Sequence, residues 1–148
     1  MQHTECHLRK KRGLEFLVVE DDSTIRKIMC LQLKIFGLKV DHAQNGVEAV
    51  RCVENRRYDM IFMDIQMPEM NGIDATAWIR NHEVSNGHAP VPIVATTAGG
   101  ATKQQCLDAG MNGYIEKPVD IHKLIDAFQT HLFLSMFQSC VKQMDDIN

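Results

Sequence analysis

Six residues able to do polar chemistry stand where apolar runs of this 148-residue chain break off. Glu20, Asp21 and Asp22 follow Phe16-Leu-Val-Val, Asp64 follows Met60-Ile-Phe-Met, Thr97 closes Pro92-Ile-Val-Ala-Thr-Thr, and Lys117, with Pro118 behind it, follows Tyr114-Ile-Glu. Carboxylates gathered in one place need compensation. Two unit charges about 4 Å apart repel by roughly 4 kcal/mol at an effective dielectric near 20. Either one of them holds a proton or a cation sits among them. A hard divalent ion suits such a set, and Mg²⁺ suits a site with few carboxylates, several waters and a phosphoryl group. Lys117 supplies one fixed positive charge, too little for three carboxylates. Taken singly, each residue has a plainer role: Asp21 or Asp22 caps the next helix, Lys117 is a solvated loop residue, Thr97 a strand-end hydroxyl. Their joint position is what needs explaining.

That position follows from the elements around them. Glu15–Glu20 is a continuous run of strand length, Ser23 offers an N-cap, and Ile25, Ile28, Met29, Leu31, Leu33 and Ile35 recur at roughly helical spacing until Gly37. Leu38–Ala43 reads as a second strand and Gly46–Asn55 as a second helix. Tyr58–Met63 is the third strand, followed by a turn-rich stretch from Asp64 to Gly72 and a helix from Ile73 to about His82. Ser85, Asn86, Gly87, Pro90 and Pro92 mark the segment from Glu83 to Pro92 as a loop. Pro92–Thr97 is the fourth strand, Ala101–Ala109 a short helix closed by Gly110, Asn112–Glu116 the fifth strand, and Asp120 the N-cap of a last helix.

Strands alternating with helices imply a parallel sheet, because each crossover carries a helix. Nearly continuous apolar strands agree, since strands buried on both faces need not alternate. The fold class is therefore α/β, a doubly wound sheet with helices on both faces, and its functional crevice lies beyond the carboxyl ends of the strands. The six polar residues fall at that edge.

Composition bounds the rest. Hydrophobic residues make up 45% and charged residues 24%, enough apolar surface for one core, and the net charge of −3 argues against wholesale nucleic-acid or anionic-membrane binding. No run of 18 apolar residues is present, and the polar, basic N-terminus is not a secretory signal. Cys6, Cys30, Cys52, Cys106 and Cys140 form no CxxC pair and read as reduced thiols, which points to a cytoplasmic location. His3, Cys6 and His7 are read as part of a frayed terminus rather than a metal site.

Four segments together resemble the receiver domain of two-component signalling proteins: Phe16-Leu-Val-Val-Glu-Asp-Asp22, Met63-Asp-Ile-Gln-Met-Pro-Glu-Met-Asn-Gly72, Ile93-Val-Ala-Thr-Thr-Ala98 and Ala109-Gly-Met-Asn-Gly-Tyr-Ile-Glu-Lys-Pro118. The wording around Asp64 is most similar to receivers of hybrid histidine kinases. The resemblance implies a flavodoxin-like five-stranded sheet of order 2-1-3-4-5. It implies Asp64 as phosphoacceptor, Glu20, Asp21, Asp64 and the Gln66 backbone carbonyl as Mg²⁺ ligands, and Lys117 as the partner of the phosphoryl oxygens. It further implies Pro118 as the residue shaping that loop through a cis Lys117–Pro118 bond, and Thr97 and Tyr114 as the switch pair. The expected reaction is transfer from the phosphohistidine of a histidine kinase or histidine phosphotransfer protein, with output through a downstream protein rather than nucleic acid or membrane. The domain is expected over 14–132, with a flexible flank at 1–13 and a helical extension at 133–148.

Three features depart from the family pattern. The acidic pair is Glu-Asp followed by Asp22, the connection from His82 to Pro92 is long, and Thr96 stands beside Thr97, although strand alternation turns only one of them toward the crevice. The rival reading is a Mg²⁺-dependent aspartyl-phosphate hydrolase acting on small phosphate esters. Its motif needs a second Asp as general acid and base where this chain has Gln66. Past Asp120, Ile121, Leu124, Ile125, Phe128 and Leu132 form a core-facing stripe. Phe133, Met136, Phe137, Cys140, Val141 and Met144 continue it, either folded back or frayed, or as a self-association helix giving a homodimer. Leu8-Arg-Lys-Lys-Arg12 is read as a solvated flank.

Overall fold

A computed structural model describes residues 13–132 and 144–146. His3, Cys6, His7, the basic run ending at Arg12, and the apolar positions from Phe133 to Val141 lie outside the described residues. Of the expected C-terminal extension only Met144, Asp145 and Asp146 are described, and all three are exposed.

The strands are β1 (Glu15–Val19), β2 (Lys39–Ala43), β3 (Met60–Asp64), β4 (Ile93–Thr97) and β5 (Gly113–Glu116). They pair in parallel in the order β2-β1-β3-β4-β5. The helices are α1 (Ser23–Ile35), α2 (Gly46–Asn55), α3 (Gly72–Asn86), α4 (Lys103–Asp108) and α5 (Ile121–Ala127), the last passing into a π-helical turn at Phe128–Leu132. β3 and β4 are buried along their whole length, and β1 from Phe16 onward, which is why their sequences read as unbroken apolar runs.

Alternation along these strands divides the core in two. Leu17, Val19, Ile61, Met63, Ile93 and Ala95 face one way and pack with Ala49 of α2, Ala75 and Ile79 of α3, and Cys106 of α4. Phe16, Val18, Met60, Phe62, Val94 and Ile115 face the other way and pack with Met29 and Leu33 of α1 and Leu124 and Ala127 of α5. The register sets Val19 beside Met63, Asp64 beside Thr96 and Thr97 beside Glu116, so the carboxyl ends of four strands finish nearly level.

The described thiols, Cys30, Cys52 and Cys106, are free. Among the described residues no helix is long and apolar enough to cross a membrane.

Several boundaries differ from the sequence expectation. Asp22, not Ser23, caps α1, its carboxylate accepting from the Thr24 and Ile25 amides at 2.9 and 3.0 Å. β3 starts at Met60 rather than Tyr58, whose hydroxyl donates to Asp41 at 2.6 Å. α3 runs to Asn86 instead of ending near His82, leaving a shorter connection than expected, closed by Gly87 in the left-handed region (φ 65°). Glu83 explains that extension: its buried carboxylate accepts from the Val91 amide at 2.6 Å and from Arg80 Nη1 at 2.8 Å, while Arg80 Nε donates to Gly110 O. α4 is shorter than Ala101–Ala109 because Thr102 and Gln105 form a reciprocal capping box at its start.

Candidate functional site

Glu20 is the residue after β1 and Asp64 the last residue of β3, two adjacent parallel strands, so the backbone alone brings both carboxylates to one edge. Both are buried, at 1% and 3% exposure, whereas Asp21 is exposed. One carboxylate oxygen from each of Glu20, Asp21 and Asp64 falls within 4.8 Å of the others. Lys117, in the loop after β5, reaches across them: its Nζ lies 2.8 Å from Glu20 Oε2 and 3.3 Å from Asp64 Oδ1. The Lys117–Pro118 bond is cis, as expected.

The electrostatics follow from this packing. Burial, then the neighbouring Glu20 charge, then a hydrogen bond with Asp21 push the Asp64 carboxyl up to about 7, against the pull of Lys117. Burial opposes the charge on Lys117, but Glu20 and Asp64 together raise its proton affinity. The basin thus holds more negative charge than one ammonium neutralises. Three oxygen donors this close, one of them open to solvent, fit a hard divalent ion that keeps several waters.

Asp22 does not join the set, since its carboxylate is committed to the α1 cap. Thr97 ends β4 at the same edge, but its hydroxyl donates to Gly99 O at 2.7 Å and accepts from Gly99 N at 3.1 Å. Thr96 falls on the sheet face of Phe62 and Val94, where its hydroxyl is buried without a hydrogen-bond partner. Thr97 falls on the face of Ala95 and Tyr114, and Tyr114 is half-buried against that layer. An open cleft of about 870 Å³ runs from Asp21 between Gln66, Asn71, Gly100 and Gln105.

Two supports were not picked out from sequence. Arg26 Nη1 donates to Glu20 O at 2.8 Å, fixing the strand end that carries Glu20. Gly72 opens α3 where its amide donates to Ile65 O at 2.9 Å and a Cβ would run into the Asp64 carbonyl oxygen, so only glycine fits against the residue that ends β3. The Asn71-Gly72 pair, a cap residue ahead of a helix, was the available signal. In the turn from Asp64 to Gly72, Glu69 lies in the left-handed region (φ 68°), a sparsely populated conformation for a non-glycine residue.

A family model described as the response regulator receiver domain matches residues 16–129. This chain is a member of the response regulator receiver family. Among curated proteins the receiver is 45% identical over 129 residues to a hybrid signal transduction histidine kinase B of Dictyostelium discoideum, covering 80% of this chain and 7% of that protein. The chain thus spans only a small part of that relative's length. Among solved structures it resembles a Saccharomyces cerevisiae co-crystal of the histidine phosphotransfer signalling protein Ypd1 with the receiver domain of its downstream response regulator Ssk1, at 34% identity and a TM-score of 0.76, covering 80% of this chain and 88% of that one. It also resembles the receiver domain of a Pseudomonas aeruginosa sensor histidine kinase solved with a magnesium ion in the active-site cleft, at 36% identity and a TM-score of 0.72, covering 81% and 98%. The receiver therefore belongs to two-component and phosphorelay signalling, and its acidic cluster lies within a fold that holds magnesium in a related protein.

Proposed function

We propose that Asp64 accepts a phosphoryl group from the phosphohistidine of a histidine kinase or histidine phosphotransfer protein, and that the resulting acyl phosphate changes the surface read by a downstream protein. The observation that carries this reading is the buried Asp64 carboxylate, held at a strand end within 3.3 Å of Lys117 Nζ and beside Glu20 and Asp21.

In the proposed reaction an Asp64 oxygen forms the new P–O bond while the P–N bond to the donor imidazole breaks, the imidazole leaving with its electron pair. Such transfers depend on alignment and charge stabilisation more than on covalent chemistry by the protein. Glu20, Asp21 and Asp64, with the Gln66 backbone carbonyl, would hold Mg²⁺, which would supply charge neutralisation for phosphoryl oxygens. Lys117 would pair with a further phosphoryl oxygen. Without such compensation, an anionic nucleophile would meet an anionic phosphoryl group inside an acidic basin.

New acceptor oxygens on Asp64 would then draw the Thr97 hydroxyl away from Gly99, at the expense of two neutral hydrogen bonds worth on the order of 1 kcal/mol each. Tyr114, on the same face, would follow into the vacated space, and Pro118 would keep the Lys117 loop in shape. The outcome is a population shift. The chain acts in this reading as a regulatory phosphoacceptor; with Gln66 where a hydrolase needs a second carboxylate, nothing favours turnover of small esters. Intact-mass measurement after treatment with a small acyl phosphate tests the reading. Wild type should gain one phosphoryl group only with Mg²⁺ present, and Asp64→Asn should gain none; equal labelling of the two proteins would refute it.

A further inference from the structure

Lys123 stands in the first turn of α5, two residues after its opening residue Ile121, where the helix dipole disfavours a positive charge and where Glu or Gln is the usual capping-box residue. A side chain placed against a local rule calls for a compensating contact, and Lys123 has two. Its Nζ donates to Glu116 O and to Pro118 O, each at 3.0 Å. Its own backbone amide is held by the Asp120 carboxylate at 2.9 Å, so the base of the side chain is fixed by the N-cap.

The two carbonyls flank Lys117. The peptide unit leading into Lys117 is therefore held at both ends: its N–H donates to Thr97 O at 2.8 Å and its C=O accepts from Lys123. With the Pro118 carbonyl held as well, the direction in which the Lys117 side chain leaves the backbone is set. That direction carries its Nζ to Glu20 and Asp64.

We propose that Lys123 is a positioning residue for the phosphoryl-transfer site, acting through Lys117 by clamping the carbonyls on either side of it. The proposal rests on the phosphoacceptor reading of Asp64. It separates two properties that general damage would move together. Holding Lys117 on target serves phosphoryl transfer, whereas the carboxylates proposed to bind metal lie at the end of β3 and in the loop after β1, with which Lys123 makes no hydrogen bond.

The test compares wild type, Lys123→Met, Lys123→Arg, Lys117→Ala and the double variant Lys117→Ala/Lys123→Met. Measurements are the rate of phosphorylation by a small acyl phosphate, Mg²⁺ affinity in the absence of phosphodonor, and hydrogen exchange of the Lys117 amide. Lys123→Met should phosphorylate about tenfold more slowly and exchange the Lys117 amide about tenfold faster, with Mg²⁺ binding no weaker than in wild type. Lys123→Arg should recover most of the rate, and the double variant should be no slower than Lys117→Ala alone. A wild-type rate in Lys123→Met, a further tenfold loss in the double variant, or Mg²⁺ affinity falling in step with the rate would each overturn the proposal. Should wild type take no phosphoryl group on Asp64, the functional reading fails, while Lys117 amide exchange unchanged by Lys123→Met would overturn the clamp independently.

Discussion

Asp64→Asn should make the metal-free protein more stable, although it removes the residue on which the proposed function turns. The Asp64 carboxyl is raised from its ordinary 3.8 to about 7 by burial and by Glu20. Because the folded-state value lies above the unfolded one, the native state is favoured by this group below about pH 4, and that contribution is lost as pH rises to about 7. Above pH 7 the folded protein carries an ionised Asp64 at a penalty of roughly 4 kcal/mol, taking 1.36 kcal/mol per pKa unit. Asn keeps the volume and removes the charge. It also gives up the Asp64–Lys117 ion pair, but Lys117 retains Glu20 at 2.8 Å, so about 2–3 kcal/mol of the penalty should be recovered. At pH 8.5 in chelator the melting temperature should rise by about 5–10 °C, measured by calorimetry or circular dichroism. Millimolar Mg²⁺ should stabilise wild type and close much of the gap, since a ligand binding only the native state shifts the equilibrium toward it. An Asn variant no more stable than wild type in chelator, or Mg²⁺ raising both melting temperatures equally, would refute the electrostatic reasoning.

Mg²⁺ affinity should climb by up to about tenfold per pH unit below pH 7 and level off above it, because binding displaces the Asp64 proton; isothermal titration at several pH values, with proton release read from buffers of different ionisation enthalpy, checks this. Asp22→Ala should lower stability by about 0.5–2 kcal/mol in denaturant melts through loss of the α1 cap, yet leave Mg²⁺ affinity unchanged, because the Asp22 carboxylate is not in the basin. Gly72→Ala should destabilise the fold and weaken Mg²⁺ binding together, since the added Cβ pushes on the Asp64 carbonyl; a variant that unfolds earlier but binds Mg²⁺ as wild type does would contradict that link.

The sheet and the edge that carries the candidate site were legible in the sequence for a physical reason. Strands buried on both faces write themselves as apolar runs, and Phe16–Val19, Met60–Met63 and Ile93–Ala95 do so. The residues ending those runs then had to meet at one edge, and Glu20, Asp21, Asp64 and Lys117 do. What remained hidden depends on contacts distant in the chain. Glu83-Val-Ser-Asn86 looks like the start of a loop, and only its hydrogen bond to Val91 and the reach of Arg80 to Gly110 show why α3 continues through it. Asp22 and Ser23 are both good caps, and the choice between them turned on one residue of backbone geometry. The engagement of Thr97 with Gly99 and the closeness of Gly72 to Asp64 are likewise properties of packed loops, not of residue type.

The central claim is that Asp64 is the one side chain in this acidic basin that takes a phosphoryl group. Borohydride reduction converts an aspartyl phosphate to homoserine, and peptide mass spectrometry after transfer from a phosphorylated histidine phosphotransfer protein locates it. The account predicts homoserine at position 64 when Mg²⁺ is present, with the label lost when the metal is chelated. Homoserine at any other aspartate, or transfer to position 64 undiminished by chelation, would contradict it.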